Sequence, residues 1–92
     1  MKTLAWDDRA LDDLDAIGDY IAANNPAAAV RVIEYVRRAA RSLETSPSLG
    51  KATSKTGVRE FVLTRYPYLL VYELAGDEVR ILAVFHHRQR RP

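Results

Sequence analysis

Residues 56–92, TGVREFVLTRYPYLLVYELAGDEVRILAVFHHRQRRP, constrain the fold more tightly than any other part of the chain. Runs rich in β-branched and aromatic residues, separated by turn residues, predict three consecutive strands over 58–64, 68–74 and 79–85, followed by a short basic tail. Tyr66-Pro67 marks a bulge or an edge between the first two, because proline cannot donate to a ladder. Gly76-Asp77 fits a two-residue type II′ turn, with glycine at the position that needs a positive φ. That turn sets a register in which Leu74 faces Val79, Glu73 faces Arg80, Tyr72 faces Ile81 and Leu70 faces Ala83. The Glu73–Arg80 pair supports it, since opposite charges across antiparallel strands attract and a one-residue slip would part them.

The register also sorts the faces. Tyr68, Leu70, Tyr72, Leu74, Val79, Ile81, Ala83 and Phe85 are expected on one apolar face, which would seat the helices. Leu69, Val71, Leu82 and Val84 fall on the other, beside Glu73 and Arg80. That second face is too apolar to be left in water and no third helix is available to cover it, so it is expected to meet a protein partner.

Upstream, Thr3–Trp6 reads as a first strand and Asp7-Asp8 as the cap of a helix over 8–23. Leu11, Leu14, Ile17 and Ile21 recur at three- and four-residue steps as its apolar stripe, while Asp12, Asp15 and Asp19 share another face. Three carboxylates at helical spacing can hold a cation, but no further ligand lies near in sequence, so the ridge is read as solvated and no metal or other cofactor is expected. Asn25 is an N-cap and Pro26 suits the first position of a second helix over 26–45. Its stripe is Ala29, Ile33, Val36, Ala40 and Leu43; Arg31, Arg38 and Arg41 lie off it, and Glu34 to Arg38 is a favourable i,i+4 pair. The short connection makes the two helices an antiparallel hairpin. Residues 46–56 form a Ser-, Thr-, Pro- and Gly-rich loop whose Lys51 and Lys55 suit either a phosphate contact or a plain connector.

Ninety-two residues predict one domain over 1–92 with a single core. The absence of cysteine excludes disulfides, thiolate nucleophiles and Cys-based zinc sites, and fits a cytoplasmic setting. No apolar run reaches membrane-spanning length and no signal peptide is read. Charge is unevenly spread: Lys2 and Arg9 stand against six aspartates up to Asn25, whereas residues 26–65 carry eight basic residues against Glu34, Glu44 and Glu60. The basic middle favours acidic or phosphate-bearing partners.

The order strand–helix–helix–strand–strand–strand, with DLDAIGDYIA in the first helix, NPAAAVR opening the second, and GVREFV, YPYLLVYEL and VRILAVFHHRQRRP following, resembles the RelE/ParE superfamily of type II toxins. The resemblance spans nearly the whole chain. It implies an α+β fold, a helical hairpin packed on a small, mainly antiparallel sheet, and a cognate antitoxin that wraps the toxin with a flexible segment. Such a segment would cover the second sheet face at Leu69, Val71, Leu82 and Val84 and meet Arg31 and Arg38.

Members of the superfamily divide by target. RelE-like members cleave mRNA on the ribosome; ParE-like members act on DNA gyrase and are not nucleases. Cleavage by 2′-hydroxyl attack needs a base, an acid and cations about the phosphate. Arg59, Arg65, His86 and His87 are the candidates, and His86 stands where nuclease members often place a histidine. His87, however, occupies a position where one nuclease branch commonly has tyrosine, and HHRQRRP resembles the endings of ParE-like chains and plasmid-stabilisation proteins. His86 equally reads as a structural histidine closing its strand. The resemblance therefore implies a gyrase-binding toxin, with a ribosome-dependent endoribonuclease as the other reading. In either case Arg59, Arg65, His86, His87, Arg88, Arg90 and Arg91 form the expected target margin.

Overall fold

The computed structural model describes residues 1–87. Its elements are β1 (Thr3–Trp6), α1 (Asp8–Ala22), α2 (Pro26–Ser42), β2 (Lys51–Ala52), β3 (Val58–Val62), β4 (Tyr68–Ala75) and β5 (Glu78–His86). They form one five-stranded sheet in the order β1-β5-β4-β3-β2. β1 runs parallel to β5 and the other pairs are antiparallel. The expected α+β architecture is present, with one addition. Two residues of the 46–56 loop pair with Glu60 and Arg59 as β2, so the loop is partly tied into the sheet.

The β4–β5 hairpin forms around Gly76 at φ +58, with no positive φ at Asp77, which is the pattern of a II′ turn. Next to the turn the expected register holds: Leu74 pairs Val79, Glu73 pairs Arg80 and Tyr72 pairs Ile81. Beyond it the pairing shifts between Val71 and Tyr72, so that Val71 faces Ala83 and Leu70 faces Val84 rather than Ala83. Leu82 is the extra residue of a β-bulge, and past it the two faces of β5 exchange. Val84, expected on the open face, is 3% exposed and belongs to the core cluster. Ala83 and Phe85, expected under the helices, instead share a face with Val71 and Leu69. Leu82, Ala83 and Val84 are all apolar, so strict alternation carries no mark of the slip.

The core lies between the hairpin and the other sheet face, where Leu14, Val36, Leu43, Leu70, Tyr72, Val79 and Ile81 are fully buried. On α1 the stripe is Ala10, Leu14, Ile17 and Ile21; Leu11, expected in it, is 36% exposed. On α2 Val32 is buried in addition to the expected stripe, and Ile33 is partly buried against the core and lies near Gly18 of α1. Asn25 caps α2 through a 3.0 Å bond from the Ala28 amide to its Oδ1. Asp7 stands at the N-cap of α1 but its side chain makes no cap bond. It accepts instead from Arg80 at 2.9 Å, and Arg80 also bonds Glu78 at 2.8 Å. Arg80 therefore sits opposite Glu73 as the register requires while its guanidinium turns the other way, toward β1. Among the described residues no helix is long and apolar enough to cross a membrane.

The helix crossing yields a test. A Cβ at Gly18 would lie 3.5 Å from Ile33, an ordinary contact. Gly18→Ala should therefore raise stability by about 0.5–1 kcal/mol through lower unfolded-state entropy. Thermal melts check this, and a lowered midpoint would mean that the helices cross too closely for a methyl group.

Candidate functional site

Arg59 is placed by an internal network. Tyr72, fully buried on β4, donates its hydroxyl to the Pro47 carbonyl at 2.6 Å and accepts from the Gly50 amide at 2.9 Å. The Arg59 guanidinium donates to the Gly50 carbonyl at 2.6 Å. A side chain at Gly50 is excluded, since a Cβ there would lie 2.7 Å from the Tyr72 hydroxyl and 2.9 Å from the Glu60 carbonyl. Burial raises the Tyr72 pKa above its ordinary 10.0, against the opposing pull of the Gly50 amide and Arg59. The hydroxyl is thus a neutral staple, and Arg59 closes the same loop.

Arg65 sits at the tip between β3 and β4, a turn closed by Leu63 N donating to Tyr68 O at 2.9 Å. The guanidinium lies over Tyr66, 5.9 Å from the ring centre. Tyr35 of α2 meets Tyr66 edge-on at 5.3 Å and accepts from the Arg65 amide at 3.3 Å. That amide bond is the chief reason the Tyr35 hydroxyl titrates below its ordinary value. Beside it Tyr35, Arg38, Ala39, Phe61 and Val62 line a cleft of about 300 Å³.

His86 ends β5 opposite Tyr68, with the two rings edge-to-face at 5.5 Å. His87 donates its amide to Pro67 O at 2.9 Å, and its Nε2 lies 3.2 Å from Tyr68 O, a contact that places the hydrogen on Nε2. His86 borders a second cleft of about 490 Å³ between α1 and β5, with Arg9, Asp13, Tyr20, Tyr68 and Phe85 among its walls. Asp13 accepts from the Val84 amide at 3.0 Å and pairs with Arg9 at 3.4 Å, while Arg9 lies 5.0 Å from the centre of the Phe85 ring. None of Arg9, Asp13, Tyr20 or Tyr35 was singled out from sequence. The first three recur at one- and two-turn spacing on α1, a pattern outside both the apolar stripe and the Asp12, Asp15 and Asp19 ridge.

The sheet divides the expected target margin. Arg59 pairs Tyr72 and His86 pairs Tyr68, so four residues of β4, about 13 Å, separate their rows along the strand. Arg65, His86 and His87 gather at one end; Arg59 is bound to the loop at the other. Arg88, Arg90 and Arg91 lie outside the described residues. Arg31 and Arg38 are exposed on α2. Leu69 is buried on the face opposite the helices, where Val71 and Leu82 are half-buried and Val62 is 46% exposed. Among the described residues no group of three or more His, Cys, Asp or Glu side chains could hold a metal ion.

Comparison with known proteins adds to this geometry. Residues 4–91 match the family described as ParE toxin of type II toxin-antitoxin system, parDE. The chain is 38% identical over 91 residues to a toxin of Sinorhizobium fredii named Y4kP, covering 99% of this chain and 94% of that protein. It is also 38% identical over 86 residues to toxin RelE2 of Caulobacter vibrioides, covering 94% and 96%. Among solved structures it resembles the chromosomal ParDE toxin-antitoxin system of P. aeruginosa with TM-score 0.82 and 28% identity, covering 94% of this chain and 96% of that one. It resembles the intact E. coli RelBE complex with TM-score 0.70 and 20% identity, covering 91% and 94%, a likeness of fold.

The Tyr72 network can be tested directly. Tyr72→Phe leaves the Gly50 amide and Pro47 carbonyl without their shared partner and should cost about 1–3 kcal/mol. Tyr68 is likewise raised above 10.0, chiefly by burial. Folding thus favours the protonated forms of Tyr68 and Tyr72, so their contribution to stability is full below pH 10.0 and is lost as pH rises past it, where the unfolded tyrosines ionise first, while Tyr35, shifted down, contributes with the opposite sign. Denaturant melts across that range should show a shallower alkaline fall for Tyr72→Phe; an unchanged slope would show that the hydroxyl is not held neutral.

Proposed function

The chain belongs to the ParE toxin family of type II toxin-antitoxin systems, and from that premise we propose that it inhibits DNA gyrase by binding and is neutralised by a cognate antitoxin. One observation carries the choice of binding over cleavage. The four side chains that phosphate chemistry would need do not converge: Arg59 bonds the Gly50 carbonyl, one end of the sheet away from His86. A base, an acid and cations must reach one phosphate to act on it. Arg65, His86 and His87 instead gather at one end of the sheet, an arrangement suited to gripping a target. Gyrase as that target is what the ParE-like resemblance implies, and it sets the protein to work in the cytoplasm.

An antitoxin partner is supported by the neighbours, since the RelBE structure is a toxin-antitoxin complex and E. coli RelE is also described bound to an antitoxin peptide. The second reading, a ribosome-dependent mRNA endoribonuclease using Arg59, Arg65, His86 and His87, is favoured by the relative named RelE2.

Induction in cells distinguishes the two. Gyrase binding should give accumulated cleaved DNA and filamentous cells with messages intact, and His86→Ala should retain part of the toxicity. Early loss of translation with cut messages would overturn the gyrase reading. Co-expression with the product of the adjoining reading frame should restore growth and raise solubility.

A further inference from the structure

The cleft between α1 and β5 opens at the end of the strand where His86 stands. Its volume of about 490 Å³ lies within the range of pockets that take a ligand or a partner's side chain. Tyr20, Tyr68, Phe85 and His86 supply aromatic walls, and Ile17 adds aliphatic surface. Tyr20 is 80% exposed, on a helix that also exposes Asp8, Asp12, Asp15 and Asp19. A large aromatic ring held out in that setting is placed for contact with a partner and not for the core.

The cleft already seats one guanidinium from within the chain. Arg9 lies 5.0 Å from the centre of the Phe85 ring and 3.4 Å from the Asp13 carboxylate, so a ring face and an acid together hold a cation at one end. Asp13 offsets the charge of Arg9 and is itself fixed by the Val84 amide at 3.0 Å. The other end, at Tyr20, Tyr68 and His86, has the aromatic walls, and among the described residues no lysine or second arginine lines the cleft. Asp12 and Asp19 stand exposed on its outer side, four residues before and three after Ala16, which lines it. The α1 wall and rim thus set three carboxylates against one arginine.

We propose that this cleft takes an arginine side chain from a basic segment of the protein target, its guanidinium against the rings of Tyr20 and Tyr68 and its charge met by Asp12 and Asp19. The proposal deepens the reading of the chain as a target-binding toxin and rests on it, since His86 belongs both to the cleft and to the end of the sheet assigned to the target. Ring faces attract the cation at contact, and the carboxylates draw a basic segment in from further off. A guanidinium suits the walls better than an ammonium, because it is planar, stacks on rings and is more weakly hydrated. Nucleic acid is disfavoured, since its phosphates would meet the aspartates of α1, and an acidic peptide is disfavoured on the same ground. A second copy of this chain could offer the arginines of α2 only by joining head to tail, a contact that builds rings or open filaments and not a closed pair.

The test has two arms, each variant first checked by circular dichroism and thermal melt. In the first, the isotope-labelled full chain is titrated by NMR with the blocked peptide Gly-Arg-Gly and with its lysine and glutamate counterparts. The arginine peptide should shift the amides of Tyr20, Tyr68 and Phe85, the lysine peptide should shift them less, and the glutamate peptide should leave them in place. In the second, affinity for purified gyrase is measured by surface plasmon resonance. Tyr20→Ala should weaken binding by about tenfold or more, and Asp12→Lys with Asp19→Lys should do the same while also slowing association. Glu34→Lys, an equal change of charge per site on α2, should leave affinity unchanged. Full gyrase affinity in both the Tyr20→Ala and the doubly reversed variants, or arginine-peptide shifts that miss the cleft, would overturn the proposal while leaving the gyrase reading intact. Absence of gyrase binding by the unaltered chain, with the arginine peptide still seated at Tyr20, would overturn the gyrase reading alone and uphold the cleft as an arginine seat. Self-association of the chain that Tyr20→Ala abolishes would assign the cleft to a second copy and overturn the proposal.

Discussion

The pairing of β4 with β5 is the constraint from which the rest of the molecule is placed. Gly76 supplies the one positive φ the turn needs, and the ladder that follows carries the fully buried Leu70, Tyr72, Val79 and Ile81. β1 is laid along the turn-proximal half of β5, and α1 must then start at the end of β1 and pass back over the sheet. β3 is added on the other side of β4 in a register that sets Arg59 beside Tyr72. The same register puts Arg59 and His86 in rows far apart along the sheet. The separation between candidate catalytic groups is thus a consequence of strand pairing and not of side-chain rotation.

Order, number and type of the main elements were legible from residues 56–92 and from the two helical stripes, because burial imposes periods of two and of 3.6 residues. The turn-proximal register was legible for a sharper reason: Gly76-Asp77 and the Glu73–Arg80 opposition point to the same alignment. What could not be read was any displacement by one residue within an apolar run. Leu82 adds a residue among Ala83 and Val84, and Val32 joins Ile33 in the α2 stripe, without altering the pattern of apolar and polar letters. The candidate site was legible as a set of residue types but not as a set of commitments. Arg59 looks like a free cation until the Gly50 carbonyl is brought to it by Tyr72, twenty-two residues on from Gly50. Asp13 looks like one carboxylate among many until Val84 presents an amide at the uncovered part of β5.

Such commitments give the two sheet edges different chemistry. At β5 a short aspartate on α1 fills the place of a neighbouring strand, and Arg9 in turn pairs with that carboxylate. A side-chain acceptor in that position is a means of blunting an edge against unwanted pairing. At β3 only a two-residue strand covers the edge, and the uncovered part lies beside the hairpin tip fixed by Tyr35 and Tyr66. One edge of the sheet is closed by a side chain of α1; the other carries only β2 among the described residues.

Charge then decides between surfaces that volume alone would rank the other way. The α1–β5 cleft is larger, about 490 Å³ against about 300 Å³. Yet α1 exposes Asp8, Asp12, Asp15 and Asp19, whereas α2 exposes Arg31, Arg37, Arg38 and Arg41. Packed helices lie about 8–10 Å apart, comparable to the screening length of roughly 8 Å at physiological salt. An approaching acidic segment therefore feels both helices at once, repelled by one and drawn to the other. That gradient favours approach of an acidic group from the side of α2, where β2 pairs with β3 only at Arg59 and Glu60.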